Sequence, residues 1–173
     1  MKKILWLLIR LRILYLCCVA QRSPRKVLQS YRFMMQIRNY LWGGNLTKVH
    51  KTGGKYFMNI YSPAWPSPVY DQYLKREISR YFSPQKPGPE LSFVFMAVTR
   101  KCPLRCEHCF EANNLNHAEM FSREELLNTV RLLQQQGALQ FHFSGGEPLV
   151  RIKDLLDVIK VTSAKSSCWV ATS

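Results

Sequence analysis

Three cysteines stand within eight residues, Cys102, Cys106 and Cys109, spaced C-x3-C-x2-C directly after the apolar run Phe93–Val98. The run has the length of a buried strand. A strand that leads straight into clustered thiols is a narrower proposition than composition alone could give. Thiolates are soft ligands that suit iron–sulfur clusters and zinc. Three of them leave one iron of a four-iron cube open to a substrate, whereas four would close the cluster. A closed zinc site wants a fourth ligand, but His108 is adjacent to Cys109 and His117 lies eight residues beyond it, outside the usual paired spacing. The i, i+4, i+7 spacing would also place the cysteines on one helix face, which Pro103, Arg105 and Glu107 oppose.

The pattern beyond the cysteines alternates helix and strand. Ser122 and Glu125 form a capping box, followed by an apolar stripe (Leu126, Leu127, Val130, Leu133) that ends at Gly137. Leu139–Ser144 alternates apolar and polar residues as a strand does and runs into Gly145-Gly146-Glu147-Pro148. Glycines there let the backbone approach a ligand closely, and the glutamate offers an acceptor for an ammonium group. By itself Gly-Gly-Glu-Pro is only a turn. Leu149–Val161 reads as a helix and Ser167–Thr172 as a third strand, with Cys168 as a core residue. His142 is read as a strand residue facing a barrel interior, with no catalytic role. Strand, helix, strand, helix, strand implies an α/β fold with parallel strands.

The first half has a different character. Residues 1–90 hold 16 Lys and Arg against three acids, whereas residues 91–173 hold nine against eight. A basic half joined to a neutral half reads as two modules, the first suited to nucleic acid, anionic lipid or an acidic partner, or simply to solvent. Residues 4–20 contain ten Leu, Ile and Val, contributing roughly −3 to −6 kcal/mol toward insertion, while Arg10 and Arg12 cost about +5 to +7. A membrane span is therefore marginal and a cleaved signal is not expected. Ile4, Leu7, Leu8, Leu11, Leu14, Tyr15 and Cys18 share a helical arc that excludes both arginines. That arc predicts a helix docked on the rest of the protein or lying on a membrane surface.

Ser23-Pro24 opens a helix to about Trp42, ended by Gly43-Gly44. Thr47–Lys51 and Lys55–Tyr61 flank Thr52-Gly53-Gly54 as a hairpin. The proline-broken stretch Ser62–Pro68 leads into a second helix, to about Tyr81. Asn45-Leu46-Thr47 matches a glycosylation sequon, discounted here because the chain is expected in the cytoplasm. The proline-rich run Ser83–Glu90 reads as a linker, giving a basic region 1–82, a linker 83–90 and a core domain 91–173.

Taken together, a strand entering C-x3-C-x2-C and, one helix later, a strand ending in Gly-Gly-Glu-Pro resemble the radical S-adenosylmethionine (radical SAM) enzymes. The resemblance covers residues 91–173. It implies that Cys102, Cys106 and Cys109 hold a [4Fe-4S] cluster whose open iron chelates S-adenosylmethionine. It further implies that Gly145, Gly146 and Glu147 contact the methionine amino end, and that His108 lies beside the adenine through its backbone. The implied reaction is reductive cleavage to a 5′-deoxyadenosyl radical that abstracts hydrogen from a peptide or small molecule, with a donor such as flavodoxin or ferredoxin supplying the electron. No residue is assigned as catalytic. The implied fold is a (β/α) partial TIM barrel. A strand–crossover–strand unit takes roughly 30 residues and a whole barrel ~250. The 83 residues from Leu91 hold about two and a half units, so the chain reads as an N-terminal fragment whose activity truncation could remove. The low-potential cluster points to a cytoplasmic location, with membrane association through residues 4–20. The rival reading is a non-enzymatic basic module that uses zinc or a cluster structurally and binds nucleic acid or a membrane surface. No nucleic-acid motif supports it.

Overall fold

The computed structural model describes residues 2–42, 49–82, 91–163 and 165–173. The expected glycine stop at 43–44, the sequon, the first residues of the hairpin and the linker at 83–90 lie outside them. The chain divides into two compact units, Met1–Gly88 and Pro89–Ser173.

The first unit contains helices α1 (Lys2–Ala20), α2 (Pro24–Trp42) and α3 (Pro68–Phe82), with a hairpin of β1 (His50–Thr52) and β2 (Lys55–Phe57) between the last two. The hairpin is shorter than expected, pairing His50 with Phe57 at its open end. After it, Tyr56 bridges back to Trp65, and the prolines beyond keep the chain irregular up to α3. Ser67 caps α3, its Oγ accepting the Tyr70 N–H at 3.0 Å.

The core of this unit joins Leu5, Ile9, Ile13, Leu16 and Cys17 of α1 to Met34 of α2 and Tyr70, Leu74 and Ile78 of α3. This corrects the expected docking face of α1. The arc of Ile4, Leu7, Leu8, Leu11, Leu14, Tyr15 and Cys18 is exposed, and the helix docks through the opposite side. Arg12 sits at the edge of the docked face because Asp71 of α3 binds its guanidinium, Nε to Oδ1 at 3.0 Å with a second, closer contact from Nη2. Burial pushes the Cys17 thiol up to about 11, which keeps it neutral in this core.

The second unit is a three-stranded parallel sheet in the order β3 (Phe93–Ala97), β4 (Gln140–Ser144), β5 (Ser167–Val170). Helices α4 (Arg123–Gln135) and α5 (Ile152–Ser163) supply the crossovers. The Ser122–Glu125 capping box is present, with both reciprocal bonds made. The last helix starts three residues later than expected, since Pro148–Arg151 forms a 3-10 turn before it.

Strand alternation sorts the residues by face. Met96, Val98, Phe141 and Phe143 pack with Leu126, Leu127 and Val130 of α4 and Leu155 and Val158 of α5, and Cys168 joins them. Both helices therefore cover one face of the sheet. The other carries Phe93, Phe95, His142 and Trp169, whose rings lie within 4.9–6.2 Å of one another in successive pairs.

Candidate functional site

Both motifs follow the C-terminal ends of neighbouring strands, which is where a parallel sheet gathers loops from different units. Pairing between β3 and β4 continues past the strands. Val98 N–H donates to the Ser144 carbonyl at 2.9 Å, Gly146 N–H to Thr99 O at 2.8 Å and Glu147 N–H to Lys101 O at 2.8 Å. The cysteine loop and the Gly-Gly-Glu-Pro turn are therefore one hydrogen-bonded backbone unit.

This unit explains the two glycines. Gly145 has φ +137°, and a Cβ there would stand 2.3 Å from the Thr99 carbonyl oxygen. A Cβ on Gly146 would stand 2.3 Å from the Lys101 oxygen and 3.0 Å from the Cys102 Cβ. The close approach expected toward a ligand is, within the chain itself, an approach to the backbone that delivers Cys102.

The cysteines lie on a loop without regular structure. Cys102 and Cys109 are half-buried and Cys106 is exposed, and none of the chain's cysteines is in a disulfide. Cys109 N–H donates to the Cys106 carbonyl at 3.3 Å, closing a turn around Glu107 and His108, and His108 is exposed. Among the described residues no three His, Cys, Asp or Glu side chains stand close enough to hold a metal ion. The loop thus places three thiols in one accessible segment without gathering their sulfurs. As a donor set they fit a thiolate-ligated cluster, and in such sites binding itself draws the ligands together, because ligation and local folding are coupled.

Three residues that the sequence pattern did not single out organise this loop. Asn116, at φ +61°, grips Cys102 from both sides. Its Oδ1 accepts the Cys102 N–H at 3.0 Å and its Nδ2 donates to the Cys102 carbonyl at 3.1 Å. Its own N–H reaches the Arg100 carbonyl at 2.8 Å, and its carbonyl accepts from Lys101 Nζ at 3.2 Å. Glu119 accepts from the Thr99 hydroxyl at 2.6 Å and the Arg100 N–H at 3.0 Å. Burial raises the Glu119 pKa, but these bonds and the nearby Arg151 outweigh it and hold the carboxyl below its ordinary value. Arg151 donates to the carbonyls of Val98 at 3.1 Å and Phe121 at 2.8 Å and to Asp154 at 2.5 Å, tying the end of β3 to α5. Asn is tolerant of the left-handed region, but nothing in a polar Asn-Asn-Leu-Asn-His stretch marks which side chain meets Cys102.

Glu147 is buried, and its carboxylate is engaged within the chain. Oε1 accepts from the Thr172 hydroxyl at 2.7 Å and the Leu149 N–H at 3.0 Å, and Oε2 accepts from the Ser173 N–H and hydroxyl at 3.2 and 2.9 Å. The Thr172 bond, with the backbone and Ser173 bonds, outweighs desolvation and holds this carboxyl well below the usual range, at about 2. It caps the 3-10 turn and latches the segment after β5 to the motif.

Residues 96–170 match the family model of the Radical SAM superfamily. A probable GTP 3′,8-cyclase of Archaeoglobus fulgidus is 41% identical over 72 residues, covering 42% of this chain and 24% of that protein. The PqqA peptide cyclase of Bradyrhizobium diazoefficiens is 37% identical over 71 residues, 40% of this chain and 18% of its own. Molybdenum cofactor biosynthesis protein 1 of Mus musculus is 32% identical over 75 residues, 42% and 12% respectively. The chain thus spans a quarter or less of the length of these relatives. No solved structure matches it. Members of the superfamily bind a [4Fe-4S] cluster and S-adenosylmethionine, and the cyclases among these relatives are enzymes. With its two motifs joined at the ends of adjacent parallel strands, the segment 96–170 is similar to the radical SAM superfamily.

Proposed function

We propose that this chain carries the cluster-binding and cosubstrate-binding part of a radical SAM enzyme. The observation that supports it most is the backbone pairing of residues 98–101 with residues 144–147, which joins the cysteine loop to the Gly-Gly-Glu-Pro turn. Cys102, Cys106 and Cys109 would hold a [4Fe-4S] cluster, for which three accessible thiols outside any disulfide are the right donors. The cluster, when bound and reduced, supplies the electron that cleaves S-adenosylmethionine.

The chain's own contribution is positioning. Asn116 and Glu119 fix the backbone at Cys102 and at Thr99–Arg100, and Gly145 and Gly146 let the two loops close on each other. Gly145, Gly146 and Glu147 would meet the methionine amino end through their main chain, since the Glu147 carboxylate is occupied by Thr172, Ser173 and Leu149. His108, exposed in the turn before Cys109, would lie beside the adenine through its backbone. In this reading the sheet is the opening part of a (β/α) barrel, with Phe93, Phe95, His142 and Trp169 on the inward face. Relatives named for GTP and for the PqqA peptide bracket the substrate as a small molecule or a peptide. A flavodoxin or ferredoxin would supply the electron, and a reducing compartment such as the cytoplasm would suit the thiols.

The test is anaerobic reconstitution of the chain with iron and sulfide, followed by electron paramagnetic resonance after dithionite reduction. The expected result is a [4Fe-4S]⁺ signal that changes when S-adenosylmethionine is added and that is lost in C102A, C106A and C109A. Folded protein that takes up zinc but no cluster would overturn the proposal.

A further inference from the structure

Helix α1 is apolar on two faces, and the core uses one of them. Leu5, Ile9, Ile13, Leu16 and Cys17 are buried in the first unit's core. Ile4, Leu7, Leu8, Leu11, Leu14, Tyr15 and Val19 remain 40–65% exposed. At about 100° per residue these seven fill one continuous arc, centred between Leu11 and Ile4, containing the exposed Cys18 and bordered by Lys3 and Arg10 on one side and Arg12 on the other. Single exposed leucines need no explanation, but a contiguous stripe of this length on one helix marks an interaction surface.

The charge pattern selects the occupant. Residues 1–70 contain twelve Lys and Arg and no Asp or Glu. Lys2, Lys3 and Arg10 on α1, and Arg22, Arg25 and Lys26 just after it, are exposed. A second copy of α1 laid against the stripe would bring like-charged borders together, which costs free energy. An anionic lipid surface fits both features, taking the apolar stripe at the acyl boundary and the cations among the headgroups. Among the described residues no helix is long and apolar enough to cross a membrane, and α1 has its other face committed to the core.

We propose that α1 is an in-plane docking helix that seats the first unit on an anionic lipid surface through its outer face from Ile4 to Val19. The proposal is independent of the chemistry of the second unit. It is tested by flotation of the 173-residue chain with vesicles of phosphatidylcholine alone or in equal parts with phosphatidylglycerol. The chain floats with the anionic vesicles and not with the neutral ones, and binding weakens about tenfold or more when salt rises from ~0.1 to ~0.5 M. The triple variant Leu7→Gln, Leu11→Gln, Leu14→Gln loses binding by about 100-fold with an unchanged circular dichroism spectrum, because all three residues are exposed. If the triple variant fails to fold, the double variant Lys3→Glu, Arg10→Glu decides, and it weakens binding to anionic vesicles by about tenfold or more. Absence of flotation, equal binding to neutral vesicles, variant binding equal to the parent, or a dimer in sedimentation that the triple variant dissolves would each overturn the proposal, the last in favour of a second copy.

Discussion

Asn116 is bonded to both backbone groups of Cys102, so the position of the first motif cysteine rests on a side chain fourteen residues further on. Replacing it with alanine leaves the Cys102 N–H and carbonyl to solvent, at a cost of about 1 kcal/mol. Asn116→Ala is expected to speed hydrogen exchange at the Cys102 amide in the metal-free chain and to lower iron bound per chain after reconstitution. Asn116→Asp, which keeps the acceptor, should restore the amide protection in part. Glu147 works by charge. Its folded pKa is depressed to about 2, so its stabilising effect is complete above the ordinary carboxylate range and is lost as pH falls through that range toward about 2. In urea unfolding, Glu147→Gln should cost roughly 1–3 kcal/mol at neutral pH and flatten the acid limb between about pH 4.3 and 2. The residue types at Cys102, Gly146 and Glu147 could be picked from the sequence because their motifs are contiguous. Asn116, Glu119 and Arg151 could not, since what distinguishes them is the partner each meets across the fold.

At the scale of elements, the periodic signals held where they had a single solution. The Ser122 capping box and the alternation of Phe141 and Phe143 against Gln140, His142 and Ser144 each admit one arrangement, and α4 and β4 have it. Helix α1 admitted two, because its apolar residues encircle most of the axis. The arc free of arginine was expected either to dock on the rest of the protein or to lie on a membrane surface, and it is not the face that docks. Arg12 is nonetheless accommodated beside the core by Asp71, a partner in α3 that no local pattern reveals. The assignment of faces has a direct check. Ile9→Ala, at a fully buried position, should cost about 2–4 kcal/mol in chemical unfolding. Leu7→Ala, on the outer arc, should change stability by less than about 0.5 kcal/mol.

Across the whole molecule, chemistry and charge are segregated. The acid-poor half forms the helical unit, and the near-neutral half forms the parallel sheet with the cysteine loop. A ligand that binds only the folded form stabilises what it touches by mass action. Reconstitution with iron and sulfide should therefore slow hydrogen exchange in β3, the 98–111 loop and residues 144–147, and leave α1, α2 and α3 unchanged. Uniform slowing, or none in the loop, would contradict the assignment of the cysteines. What the sequence determined by itself was the order of elements in the second unit, the parallel class of its sheet and the two motif segments. These are written in short-range periodicity, caps and contiguous residue types. Only the tertiary structure decided which face of α1 is buried, that Gly145 and Gly146 serve contact between two loops, that the Glu147 carboxylate is held inside the chain and that Asn116 grips Cys102. Each of those outcomes depends on atoms brought together from distant parts of the chain, where sequence spacing carries no distance.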